Sequence, residues 1–92
     1  MVKKKDFEFD IVKHIGVISE GNKGWRREVN SVSWNGAEPK YDIRDWSPEH
    51  DKMGKGISLT ENEAIALSDI LKQAFSDKDN LDLIKDAFRT NE

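Results

Sequence analysis

The chain has 92 residues, of which 36% are hydrophobic and 36% charged, and its net charge is −3. This length predicts a single domain over residues 1–92, with a small core that we expect a second copy of the chain to complete. The absence of cysteine excludes disulfide and thiolate chemistry, and we find neither a signal peptide nor an apolar run of the roughly 20 residues that a membrane span requires. We therefore expect a cytoplasmic protein that does not associate with membranes.

The acidic groups are concentrated in the last third of the chain. Residues 1–60 carry 11 basic and 10 acidic side chains, whereas residues 61–92 carry 4 and 8. The first two thirds are therefore close to neutral, without the strongly basic surface that is typical of duplex DNA-binding domains. If the partner is a nucleic acid, stacking on aromatic rings has to supply much of the affinity.

Alternation of apolar and polar residues predicts four strands in the first two thirds of the chain. They span about residues 7–19, 25–34, 40–46 and 55–60. Gly16 indicates a bulge or a close crossing within the first strand. A glycine-rich turn at residues 20–24 joins the first two strands, and Asn35-Gly36 begins a longer loop over residues 35–39.

The third strand has one face that combines charge with an aromatic ring. Side chains alternate across a strand, so Lys40, Asp42, Arg44 and Trp46 share this face. The second strand is mixed on both faces, which indicates a bulge or a role on both sides of the sheet.

The period of the apolar residues changes from 2 to 3.6 after Thr60. Thr60 and Glu63 have the spacing of a capping box, which predicts a helix over residues 61–75. Polar residues 76–80 predict a break, and a shorter apolar stripe predicts a second helix over residues 80–89. Four strands followed by helices are typical of an α+β fold with an antiparallel sheet.

No pattern in the chain indicates an enzyme. The two histidines, His14 and His50, lack metal-ligand spacing, and no nucleophile motif or phosphate-binding loop is present. We therefore expect no catalytic residues, no metal and no cofactor.

A pairing of tryptophan with basic residues recurs along the predicted sheet. Arginine and lysine can hold phosphates, and an indole ring offers a plane on which a base can stack. The candidate nucleic-acid-binding residues are Trp25, Arg26, Trp34, Lys40, Arg44, Trp46 and Lys55. The alternative is structural: Trp46 packs on a neighbouring side chain, and Arg44 pairs with Asp42 or Asp45.

Two segments of the chain carry a resemblance to a known family. The run YDIRDW at residues 41–46, followed by GKGISL at residues 54–59, resembles the transcriptional coactivators known as positive cofactor four. The small bacterial YdbC proteins, related to these coactivators, are more similar still, and the similarity extends over about residues 7–72.

The resemblance implies a curved sheet of four antiparallel strands and a helix, assembled as a homodimer that binds single-stranded DNA with little sequence preference. By matching position, it implies a binding role for Arg44, Trp46 and Lys55. Trp34 lies near an aromatic residue of the coactivators. Trp25, Arg26, Arg27 and Lys40 match the YdbC pattern only.

The function expected from these patterns is non-enzymatic binding of single-stranded DNA, in transcription or DNA maintenance, with RNA left open as a second ligand. In this interpretation Arg26, Lys40, Arg44 and Lys55 hold phosphates, and the three tryptophans stack on bases. The alternative is a protein-interaction adaptor that uses the sheet or the acidic C-terminal helix.

Overall fold

A computed structural model describes the backbone of residues 8–89 and the side chains as far as residue 78. Four strands form one antiparallel sheet in the order of the sequence, which confirms the predicted architecture. The strands are β1 (Phe9–Glu20), β2 (Arg26–Trp34), β3 (Lys40–Trp46) and β4 (Met53–Leu59). The predicted ends of β2 and β3 are correct to one residue, whereas β4 begins two residues earlier than predicted.

β1 is strongly bulged, and this bends the edge of the sheet. Its 12 residues pair with the 9 residues of β2, because the register shifts past Val12, Ile15 and Ile18 in turn. One of these shifts lies between His14 and Gly16, next to the glycine from which a bulge is predicted. Each extra residue bends the strand and increases its twist, so the open sheet is curved.

The two predicted turns are present, and each places a glycine and the residue before it in the left-handed backbone region. In the first hairpin a short 3-10 turn covers Asn22–Gly24, with Lys23 at φ 59° and Gly24 at φ 81°. In the second, Asn35 and Gly36 take φ values of 55° and 76°. A hydrogen bond from the Ala37 amide to the Trp34 carbonyl closes this turn at 2.9 Å.

A single helix, α1, follows the sheet and spans Glu61–Arg89. It begins directly after Thr60, as the capping pattern predicts, but the predicted break at residues 76–80 is wrong. That segment has cap-forming side chains but neither glycine nor proline, so it lacks the two residues that most strongly oppose helix continuation. The predicted separate helix over residues 80–89 is therefore the end of α1, and its side chains lie outside the described residues.

The chain divides into two compact units, one ending at Glu61 and the other beginning at Asn62. The first unit contains the sheet and the second contains nearly all of α1. Within the part of the chain that the structure describes, no helix is long and apolar enough to cross a membrane.

The residue pairs across the strands define two faces of the sheet. Trp46 lies opposite Arg26, and Trp34 lies opposite Phe9, on the face that we call the tryptophan face. The side chains of β2 and β3 on this face are those of Arg26, Glu28, Asn30, Val32, Trp34, Lys40, Asp42, Arg44 and Trp46. Its centre is buried, since Glu28, Asn30 and Asp42 are at most 1% exposed, and Val32 and Trp46 on either side of them are also inaccessible to solvent.

Candidate nucleic-acid interface

Trp46 lies at the base of the tryptophan face and is completely buried. Its ring packs against Phe9 at a centroid distance of 5.2 Å and against His50 at 5.5 Å. Among the residues that the structure describes, its buried Nε1 has no hydrogen-bond partner. No part of the ring is exposed for a base to stack on, so the geometry fits the alternative interpretation, in which Trp46 packs within its own fold.

Arg44 also follows the alternative interpretation, because its guanidinium is held by a buried carboxylate. Nε and Nη2 donate to the two Asp42 oxygens at 2.6 and 2.9 Å, and Nη1 donates to the Gly54 carbonyl at 3.3 Å. The side chain is 14% exposed and that of Asp42 is fully buried. A bidentate pair of this kind fixes the position of the guanidinium, and little donor capacity remains for a phosphate.

Trp34 is partly exposed and is positioned by three neighbours. Arg44 Cζ lies 4.7 Å from the centroid of the indole, which is within cation–π range. The indole Nε1 donates to Ser58 Oγ at 2.9 Å, and Phe9 lies 6.0 Å away. Ser58 Oγ in turn donates to Asp42 at 2.7 Å, so a chain of polar contacts links β2, β3 and β4.

A second buried carboxylate, Glu28, organises the other end of this face. Its side chain is 1% exposed and accepts hydrogen bonds from His50 Nε2 at 3.0 and 3.1 Å and from Asn30 Nδ2 at 3.1 Å. Arg26 Nη2 lies 3.2 Å from Glu28 Oε2, and His14 Nδ1 lies 3.6 Å from Oε1. Burial acts to raise the pKa of Glu28, but the hydrogen bonds from His50 and Asn30 and the nearby cations hold it below its usual value.

The remaining predicted residues do not all share this face. Lys40 lies opposite Val32 on the tryptophan face and is exposed. Lys55 is exposed in the bulge where the pairing of β3 with β4 shifts. Trp25 instead lines an open cleft of about 510 Å³ next to the first hairpin turn, together with Arg27 and Asp45.

Arg27 and Asp45 form an exposed bidentate pair beside Trp25. Arg27 Nε and Nη2 donate to the two Asp45 oxygens at 2.9 and 3.2 Å. The hydrogen bond and the positive charge of Arg27 lower the pKa of Asp45. The structure therefore divides the predicted site, with Arg26, Trp34 and Lys40 on the tryptophan face and Trp25 elsewhere.

On the tryptophan face, the acidic side chains of β2 and β3 are buried, whereas Arg26 and Lys40 are accessible to solvent. Both of these carboxylates are at most 1% exposed, whereas the Arg26 side chain is 40% exposed and Lys40 is exposed. A surface in which acids lie below and cations above is attractive to an anionic polymer, although the chain as a whole is acidic. Among the side chains that the structure describes, no three His, Asp or Glu groups are arranged to hold a metal ion.

The sequence pattern did not single out the polar cluster around Glu28. His14, Asn30 and His50 come from β1, β2 and the loop after β3, so they are separated by up to 36 positions in the sequence. The mixed polarity of β2 was the available signal, because Glu28 and Asn30 are buried polar residues that need partners.

Aromatic and cationic side chains on one face of an open, curved sheet are the groups with which many proteins hold a nucleic-acid strand, by stacking and by phosphate contacts. A sequence model of the Transcriptional Coactivator p15 (PC4) family matches residues 21–70, which include β2, β3 and β4. An uncharacterized protein of Treponema pallidum (strain Nichols) is 47% identical over 70 residues, which cover 76% of this chain and 82% of the relative.

The chain therefore belongs to the Transcriptional Coactivator p15 (PC4) family, whose domain is a non-enzymatic DNA-binding domain. This confirms the resemblance to the coactivators. Neither match bears on the closer similarity to the YdbC proteins, which stays a prediction.

Replacement of Trp46 by alanine should mainly reduce stability. Removing a fully buried indole leaves a cavity, and we expect the free energy of unfolding to fall by about 3–5 kcal/mol in urea denaturation. Trp25→Ala is the matched control, with an expected loss of about 1 kcal/mol because that ring is partly exposed. A Trp46→Ala protein of undiminished stability that no longer binds single-stranded DNA would restore Trp46 to the stacking surface.

Glu28 should contribute stability above its unfolded pKa of about 4.5, and this contribution should disappear as the pH falls through its lower folded pKa. We expect Glu28→Gln to be less stable than the unsubstituted protein by about 1.5–3 kcal/mol near neutral pH. The difference should narrow in acid, where Glu28 itself becomes neutral. Urea unfolding between neutral pH and about pH 3 measures this difference in the free energy of unfolding. The exposed Glu38→Gln variant is the control. A constant difference across this range would contradict a charged Glu28.

Proposed function

We propose that this protein binds single-stranded DNA with little sequence preference, and that the strand lies along the tryptophan face. The observation that carries the proposal is that the acids Glu28 and Asp42 are buried on this face. The cations Arg26 and Lys40 on the same face remain accessible to solvent. Membership of the coactivator family supports the same conclusion, because the family match covers the strands that present these residues.

Phosphates are held chiefly by Arg26 and Lys40, which lie near opposite ends of the face. Arg26 begins β2, and Lys40 begins the antiparallel strand β3, so the two cations are spaced along the sheet. Arg44 has a smaller share because its donors already serve Asp42 and Gly54. Lys55 gives an additional phosphate contact from the bulge next to β3.

Trp34 supplies the stacking surface of this interface. Its ring is held by the hydrogen bond to Ser58 and by the nearby Arg44 guanidinium, so stacking requires little further ordering. A stacked base contributes about 1–3 kcal/mol regardless of its identity, because every base has a π-face. Trp25, which directly precedes β2, extends the path of the DNA past Arg26, and Trp46 supports the interface from below.

Low sequence preference follows from this division of roles. The groups assigned to binding are cations that contact phosphates and an indole that stacks, and neither reads base edges. The biological setting that fits is an accessory role in transcription or DNA maintenance. RNA offers the same phosphates and bases, so it is the natural competitor ligand to compare in binding assays.

We also propose that the working form is a homodimer. On α1, the large apolar side chains of Ile70, Leu71 and Phe75 are 64%, 43% and 62% exposed. Leu71 and Phe75 are four residues apart and so lie on the same side of the helix, and Ile70, next to Leu71, widens this exposed apolar surface. Such a surface is typical of one that becomes buried on association. Sedimentation equilibrium should show a dimer that Ile70→Ser weakens, whereas the exposed polar control Lys72→Ser should not; a monomer at all concentrations would contradict the proposal.

Lys40→Ala should weaken binding in a manner that depends on salt. For a single-stranded oligo-dT of about 20 nucleotides, loss of one phosphate contact should reduce the slope of log K against log salt by about 0.7. Lys13→Ala is the matched control, because Lys13 is exposed but pairs with Ser31 and so lies on the opposite face. Titration of tryptophan fluorescence between about 50 and 500 mM salt provides both the affinity and the quenching expected from stacking.

Two results would oppose this function. Equal salt slopes for the Lys40 and Lys13 variants would remove the tryptophan face from the interface. Absence of quenching at both salt concentrations, with folded protein, would favour the adaptor function instead.

A further inference from the structure

An open depression lies beside the buried Glu28 on the tryptophan face. It has a volume of about 350 Å³ and is lined by Ile11, His14, Arg26, Asn30 and His50. Three of these five side chains carry nitrogen groups that are or can become cationic. Their exposed fractions are 48% for His14, 40% for Arg26 and 31% for His50, so a ligand can reach all three.

Buried acceptors fix the orientation of both imidazole rings. His50 Nε2 lies 3.0 and 3.1 Å from the two Glu28 oxygens, so this nitrogen carries the proton and donates. His14 Nδ1 lies 2.7 Å from Asn30 Oδ1 and is likewise a donor. The amide orientation of Asn30 follows from its Nδ2, which donates to Glu28. The second nitrogen of each ring, His50 Nδ1 and His14 Nε2, therefore gains a proton only when the imidazole becomes cationic.

The charge of this depression depends on the two rings. Glu28 and Arg26 offset one another, so the cluster is neutral when both histidines are neutral and carries two positive charges when both are protonated. Charged groups on the adjoining elements are Glu20 opposite Arg26 on β1, the Asp42–Arg44 pair on β3, and Glu49, Asp51 and Lys52 beside His50 in the loop. Asp42 is neutralised by Arg44, and Asp51 accepts a hydrogen bond from Ser47.

We propose that this depression is a phosphodiester subsite of the single-strand interface, in which Arg26 provides a constant positive charge and His14 and His50 add charge on protonation. The inference rests on the proposed function and adds a regulation to it. Imidazole changes charge between about pH 5 and 8, so the grip on the DNA backbone tightens as the pH falls through this range.

The test uses an oligo-dT of about 20 nucleotides, because thymine has no group that titrates between about pH 5.5 and 8. The variants are His14→Asn and His50→Gln, whose amide groups keep a donor near the position of the original Nδ1 and Nε2 respectively. The chain has two histidines, so the double variant has none. Glu49→Gln, an exposed neighbour in the same loop, is the control.

We expect the unsubstituted protein to bind about tenfold more tightly near pH 5.5 than near pH 8, and the double variant to change by less than about twofold. The slope of log K against log salt should steepen by up to about 1.4 at the lower pH, which is about 0.7 for each added phosphate contact. The Glu49→Gln control should retain the full pH dependence.

Binding that is tight but independent of pH would overturn the subsite and leave the proposed function standing. Weaker binding at low pH would overturn it too, because neutral rings would then accept hydrogen bonds from bases. Absence of binding at every pH would overturn the proposed function together with the subsite. If the double variant does not fold, the test is the slope of log K against log salt for the unsubstituted protein at the two pH values. Equal slopes at both pH values would overturn the subsite.

Discussion

The buried carboxylate of Glu28 is the interaction on which the tryptophan face depends. An isolated charge at a site that is 1% exposed would cost several kcal/mol, so its neighbours have to supply donors. They do so from three directions: Arg26 along the same strand, His50 from the loop after β3, and Asn30, which in turn holds His14 on β1. One acid therefore fixes the positions of a guanidinium and two imidazoles at the edge of the sheet.

Asp42 has the same role at the other end of the face. It holds Arg44 in bidentate geometry and accepts from Ser58, whose oxygen also receives the Trp34 indole proton. The two acids together place cationic and aromatic groups above buried negative charge. This arrangement reconciles the net charge of −3 with an anionic partner, because Glu28 and Asp42 are withdrawn from solvent, whereas Arg26 on the same face is 40% exposed and Lys40 is exposed.

The strands and both turns could be predicted, because alternation and turn-forming residues are local signals. The sequence left two interpretations of Trp46 open, stacking on a base or packing within the fold, since alternation assigns a side chain to a face without saying what covers that face. Phe9 and His50, which cover the ring, lie 37 residues before and 4 residues after it. The continuity of α1 was missed because residues 76–80 resemble a cap, although nothing in them forces a helix to end. The cluster at Glu28 joins positions that are remote in sequence, so only the fold brings them together.

The central claim is that a single strand lies on the tryptophan face above Trp46. The most direct test is a ¹⁵N NMR titration of the three tryptophan indole groups with oligo-dT, since each indole reports on a different place: Trp34 on the face, Trp46 below it and Trp25 beside the first turn. The account predicts the largest shift for Trp34 and a small one for Trp46. A dominant shift of Trp46, or a shift confined to Trp25, would contradict it.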